Sequence, residues 1–132
     1  MRLFRRILAM VVSAALSVSV TAQDRGTKDE ARALTIAALA HIKKVGHEQA
    51  FKDFTSDRAS WVKKDLYVVA QTGTGDVMAH ATNEKLVGKN LIDIKDQNGK
   101  MFVRDLIAVG MKGEGWVDYD WVNPVSKKIE AK

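Results

Sequence analysis

Asp65-Leu66-Tyr67-Val68-Val69-Ala70-Gln71-Thr72-Gly73-Thr74-Gly75-Asp76-Val77-Met78-Ala79-His80 is the stretch on which the fold turns. Leu66 to Ala70 is rich in β-branched and aromatic side chains, and it is long enough for a buried strand but too short for a helix. Thr72 to Asp76 offers two glycines among small polar residues, which is turn chemistry, and Val77 to His80 runs back as a second strand. The pair predicts a hairpin, and therefore antiparallel pairing.

Toward the N-terminus, Thr27 followed by Glu30 has the spacing of a capping box. Ala31, Leu34, Ala38 and Ile42 then recur at helical spacing, leaving Lys28, Arg32, Lys43 and Lys44 for water, so a long amphipathic helix is expected to end near Gly46. A shorter helix is predicted over His47 to Phe54, and Ser56 to Lys64 reads as a loop anchored by Trp61. Toward the C-terminus, Ala81 to Asn98 is irregular, with Gly88 and Asn98-Gly99 as turn signals. Phe102, Val103, Leu106, Ile107 and Val109 predict a third helix, broken around Gly110 to Gly115. Trp116 to Val122 alternates large side chains with Asp118 and Asp120, as a strand with one wet face does, and after Pro124 a last strand opens at Ile129. Two helices, a hairpin, a helix and another hairpin give an α+β fold, with an antiparallel sheet covered on one face.

The first residues describe export. Arg2, Arg5 and Arg6 precede an uncharged apolar run from Ile7 to Val20, and Val20-Thr21-Ala22 presents small residues to a signal peptidase. The expectation is a signal peptide over residues 1–22, cleaved after Ala22, and a single domain over 23–132. An uncleaved leader would tether the same domain to the membrane, and that is the only membrane contact expected. The leader holds three of the 21 basic residues and no acid, so 18 basic residues face 16 acidic ones in the rest. Lysines alternate with Asp and Glu there, which argues against a nucleic-acid partner. With no cysteine, the core holds by packing alone.

Few motifs carry chemistry. Gly73-Thr74-Gly75 opens like a dinucleotide loop, but Met78 stands where a third glycine belongs and a strand follows. Asp96, Asn98 and Gly99 resemble part of a calcium loop, yet Ile94 occupies its first ligand position. His41, His47 and His80 have no zinc spacing, no nucleophile elbow exists, and Asp118 with Asp120 reads as a solvated face. The sequence makes no case for catalysis, for a metal or for a cofactor. What remains is a set of polar-tipped aromatics, Tyr67, Trp116, Tyr119 and Trp121, with His80, Lys89 and Asn123. Such side chains line a pocket for a small polar ligand, or simply pack.

The order of several segments resembles single Cache domains of the second type. These are Ala40 to Gly46, Ala50 to Phe54, Asp65 to Val69, Met78-Ala79-His80, Leu86 to Leu91, Lys100 to Arg104 and, above all, Gly115-Trp116-Val117-Asp118-Tyr119-Asp120-Trp121-Val122-Asn123-Pro124. The resemblance implies an extracytoplasmic, PAS-like antiparallel sheet preceded by a long N-terminal helix. It also implies sensing of small molecules, often carboxylates, on behalf of chemoreceptors, histidine kinases and related regulators. Two departures stand out: Ala81 replaces a common proline, and the family's final strand, which lies between the two hairpins, is missing, so the domain is expected to be C-terminally incomplete.

The expected function is a sensor module that binds a small organic ligand and passes its ligand state to a separate membrane sensor or receptor. The alternatives are an interaction subunit without a ligand, whose exposed sheet edge docks a partner strand, or a fragment of a chemoreceptor or histidine kinase sensor. The candidate ligand-binding residues are Tyr67, His80, Lys89, Phe102, Tyr119 and Trp121. Tyr119 and Trp121 are two apart and share a face. There the Tyr119 hydroxyl would donate to a carboxylate, Trp121 would pack over an apolar stem, Lys89 would supply positive charge, and Phe102 would close one wall. His80 reads equally well as an ordinary strand-end histidine.

Overall fold

The computed structural model describes residues 25–132, so the leader and its cleavage site lie outside the described residues. The α+β architecture is as expected, with helices, short antiparallel strands and a long helix in front.

Helix α1 (Lys28–Val45) begins with the expected capping box: Thr27 Oγ1 accepts the Glu30 N–H at 3.1 Å, and Glu30 Oε2 accepts the Thr27 N–H at 2.8 Å. Its inner stripe is Leu34 and Ala38, and it ends at Gly46. Helix α2 (His47–Ser56) follows directly and buries Ala50 and Phe54. Between them His41 Nε2 meets Asp53 Oδ2 at 2.7 Å, while the His41 ring packs on Phe54 and Trp61.

The segment read as a loop after α2 is more regular than the sequence suggests. Asp57 accepts from the Ser60 N–H and hydroxyl, starting a single helical turn, α3 (Arg58–Trp61), that delivers Trp61 edge-on to Phe54 at 4.6 Å between ring centres. Strand β1 (Val62–Lys63) then pairs with β2 (Leu66–Tyr67). The run expected as one strand is divided at Val68, whose N–H donates to the Trp61 carbonyl. Beyond it, β3 (Val69–Gln71) pairs with β4 (Val77–His80), as the hairpin reading required. Gly75 sits in the turn at φ +94°, with Ile92 so close that an added Cβ would lie 2.8 Å from it, so a side chain there is excluded twice over.

Leu34, Ala38, Ala50, Phe54, Trp61, Val68, Ala79 and Ala81 form the main core, in which α2 packs on β4 of the hairpin and α1 packs on α2. After a 3₁₀ turn at Glu84–Leu86, helix α4 (Phe102–Met111) buries Phe102 and Val103. Only Asp120–Val122 of the predicted 116–122 strand is strand, β5, pairing with β6 (Ile129–Ala131). Before it, Trp116 lies exposed under the Lys28 ammonium, and the Asp118 carbonyl accepts from Lys100 Nζ. Among the described residues no strand joins the β3–β4 hairpin to the β5–β6 hairpin.

Candidate functional site

Five of the six candidate residues fall into one continuous aromatic row. His80, at the end of β4, stacks on Tyr67 of β2 with ring centres 5.2 Å apart. The phenol of Tyr119 lies close enough to Tyr67 to disfavour its ionisation. Tyr119 in turn stacks almost parallel on Phe102 at 4.3 Å, and Trp121 leans on Phe102 at 5.0 Å. Tyr119 and Trp121 thus share a face, as their spacing predicts, and α4 supplies the wall between them.

Lys89 is not brought to this row. Its carbonyl accepts from the Val77 N–H on the edge of β4 that β3 does not use, and its side chain is exposed. Trp116, considered with the aromatics, also stays apart. The cation beside the row is Lys132, which the sequence reading missed: its Nζ lies 5.7 Å from the centre of the Tyr67 ring, and its side chain is only 14% exposed. Burial holds its ammonium below the usual lysine range, against the pull of Asp65 and Glu130.

Hydrogen bonding divides these side chains into occupied and available groups. His80 Nδ1 accepts from the Asn83 N–H at 3.0 Å and the Thr82 N–H at 3.3 Å, which fixes the turn after β4 and places the ring proton on Nε2. Among the described residues no partner is found for that Nε2, for the Tyr67 and Tyr119 hydroxyls or for the Trp121 indole N–H, and none of these atoms is sealed from solvent. Burial pushes both phenols up, and burial pushes His80 down, so all three rings are neutral donors near neutral pH. Four neutral donors beside one half-buried cation suit a small acceptor-rich anion.

Behind the row is a polar cluster. Asn123, placed beside the aromatics by the sequence reading, is buried; its Nδ2 donates to Glu130 at 2.7 Å and to Asp65 at 3.3 Å. The acidic residues near β5 have their own partners. Asp96 accepts from the backbone N–H groups of Asn98, Lys100 and Asp120, and Asp120 accepts from Gln97 and Asn98, so the calcium-like stretch is an Asx-type turn bracing β5. Among the described residues no three His, Asp or Glu side chains converge as metal ligands would.

Two open clefts lie elsewhere. One, of about 440 Å³, runs between α4 and residues 116–118. The other, of about 360 Å³, runs between Phe51, Thr55 and Ser56 of α2 and Met78 of β4. Neither holds a residue of the row, and the second offers almost no polar group to a ligand.

Comparisons with known proteins agree with this architecture. No curated protein matches the chain. Among solved structures, a methyl-accepting chemotaxis protein from Vibrio parahaemolyticus is similar at a TM-score of 0.67 and 27% identity, over 79% of this chain and 74% of that one. A Cache chemosensory domain studied for carboxylic acid recognition superimposes at a TM-score of 0.56 and 23% identity, over 78% and 73%, which is a likeness of fold. The model of the family "Single Cache domain 2" matches residues 8–132, and the chain belongs to that family.

Proposed function

We propose that the chain is an extracytoplasmic sensor module that binds a small carboxylate on the aromatic row and passes its ligand state to a separate membrane sensor or receptor. The observation that carries this reading is the convergence of Tyr67, His80, Tyr119 and Trp121, with hydrogen-bonding groups left over, beside the Lys132 ammonium. Burying a carboxylate is tolerable only where charge and donors replace its water, and here both come from side chains already held in place. Phe102 and Trp121 supply apolar surface for the rest of a small organic acid. The carboxylic acid recognition studied in one structural neighbour supports the same ligand class. Export by a leader cleaved after Ala22 belongs to this reading, since a sensor of external solutes has to face them.

Thermal melting with a panel of short organic acids tests it. A ligand at a hundred times its Kd adds about 2.7 kcal/mol to stability. For a domain of ~100 residues that raises Tm by roughly 10 °C or more. If no acid moves Tm, the row is packing and the reading falls.

One observation favours a second reading, a subunit that docks a partner strand. The His80 N–H donates to Thr55 Oγ1 rather than to β3, so the Val69 N–H and C=O point to the other edge of β3. At the open end of the β5–β6 hairpin, Tyr119 and Lys132 exchange both bonds, and by alternation the backbone groups of Ile129 on β6 turn outward as well. Such edges accept an added strand. In that case V69P would abolish complex formation, and no acid would change Tm.

A further inference from the structure

Asp65 stands one residue before β2 and is nearly sealed, its side chain 7% exposed. Its Oδ1 accepts the Gly26 N–H at 2.7 Å. Its Oδ2 takes one Asn123 hydrogen and lies 3.7 Å from Lys132 Nζ and 3.9 Å from Arg25 Nε. Gly26 immediately precedes the N-cap of α1, and an added Cβ there would fall 2.3 Å from Leu66, so the helix start is pressed directly onto β2. The same end of α1 is held by β6, where the Ala131 carbonyl accepts from Arg25, and by the segment leading into Tyr119, where Lys28 lies over Trp116 and Arg32 pairs with Glu114. One carboxylate therefore joins the beginning of α1 to the cation that hangs over Tyr67.

We propose that Asp65 is a latch between the ligand row and α1, dividing its negative charge between Lys132 on one side and Gly26 with Arg25 on the other. This rests on the row being a carboxylate site. A hydrogen bond to a carboxylate strengthens when less of its charge is neutralised by other partners, and the effect is preserved where water is excluded. A ligand carboxylate that takes Lys132 leaves Asp65 less neutralised, so Asp65 holds Gly26 and Arg25 more tightly and the first turn of α1 stiffens. That stiffening is the ligand state available to a partner. By linkage, whatever loosens the helix start weakens the ligand. Asp65 is thus a positioning residue, which acts on the ligand through Lys132.

Amide exchange at Gly26 to Ala31, measured by NMR and normalised to Ala79 in the core, tests the latch without any ligand. K132M, which removes the competing cation, is expected to slow exchange at Gly26 about three- to fivefold, whereas D65N speeds it about tenfold. General destabilisation only speeds exchange, so the slowing in K132M separates a latch from a merely structural contact. It also decides the matter if D65N fails to fold. Sodium acetate, against a sodium chloride control, should reproduce the slowing in the parent and add nothing in K132M. Unchanged or faster exchange in K132M overturns the latch. If acetate raises Tm but leaves Gly26 unmoved, the latch falls and the site stands; if acetate leaves Tm unmoved while K132M slows exchange, the latch stands and acetate binding at the row falls.

Discussion

Lys132 and Lys89 illustrate how much of a site depends on non-local placement. Both are lysines in a polar neighbourhood of the sequence, but Lys132 reaches Asp65 across 67 positions because β6 pairs with β5. Nothing local signals that. The aromatics were legible because period-two spacing alone puts Tyr119 and Trp121 on one face. In binding assays with any acid that registers, K132M should cost about 10- to 100-fold in affinity and Y119F about fivefold, with K89A near the parent, as a charge-assisted bond outweighs a neutral one. Equal losses for K89A and K132M would put the cation elsewhere. His80 makes a separate prediction. Burial holds its folded pKa below the ordinary 6.5, so the unfolded chain takes the proton first. The stability contributed by neutral His80 is therefore full above that value and is lost as pH falls from it toward the folded pKa. Tm should start to drop below about pH 6.5, and H80Q should flatten that part of the curve. The next loss comes at lower pH. There Asp53, held down by His41 and Gln49, and Asp76, held down by Asn90 and Thr74, take up protons.

Among the elements, the helices were readable because their signals are local. Thr27 with Glu30 marks the start of α1 and Gly46 its end, both within the reach of a few residues. The strands were harder. The run from Leu66 to Ala70 is uniformly β-prone, and only the bond from Val68 to Trp61, made possible by the turn of α3, divides it. Likewise, Trp116 to Asp118 has strand composition but is drawn off by Lys28 and Lys100, while Tyr119 keeps its backbone bonds to Lys132. Two substitutions test the helix start. T27A removes the Oγ1 acceptor of the Glu30 N–H, leaving the backbone bond to Glu30 in place, and should cost about 1 kcal/mol in urea unfolding. G26A must displace Leu66 and should cost about 1–3 kcal/mol. A neutral G26A would mean that α1 is not pressed onto β2.

At the scale of the whole molecule, the α+β class and the family resemblance were legible from the order of segments. The approach of Tyr67 on β2 to Tyr119 just before β5, and the Asp65 cluster behind it, were not, because both join parts of the chain far apart in sequence. Export is a prediction at this scale. The protein recovered outside the cytoplasm should begin at Gln23 by intact mass, and a leader retained in the membrane fraction would contradict it. The claim on which the rest depends is that the aromatic row, and not either cleft, receives the ligand. An NMR titration with the short organic acids examines it directly, following the Trp121 indole N–H and the ring signals of Tyr67, Tyr119 and His80. Binding at the row gives saturable shifts concentrated on these four residues and on Lys132. Shifts that gather instead on Val109, Trp116 and Val117, or on Phe51 and Met78, with the row unmoved, would contradict it.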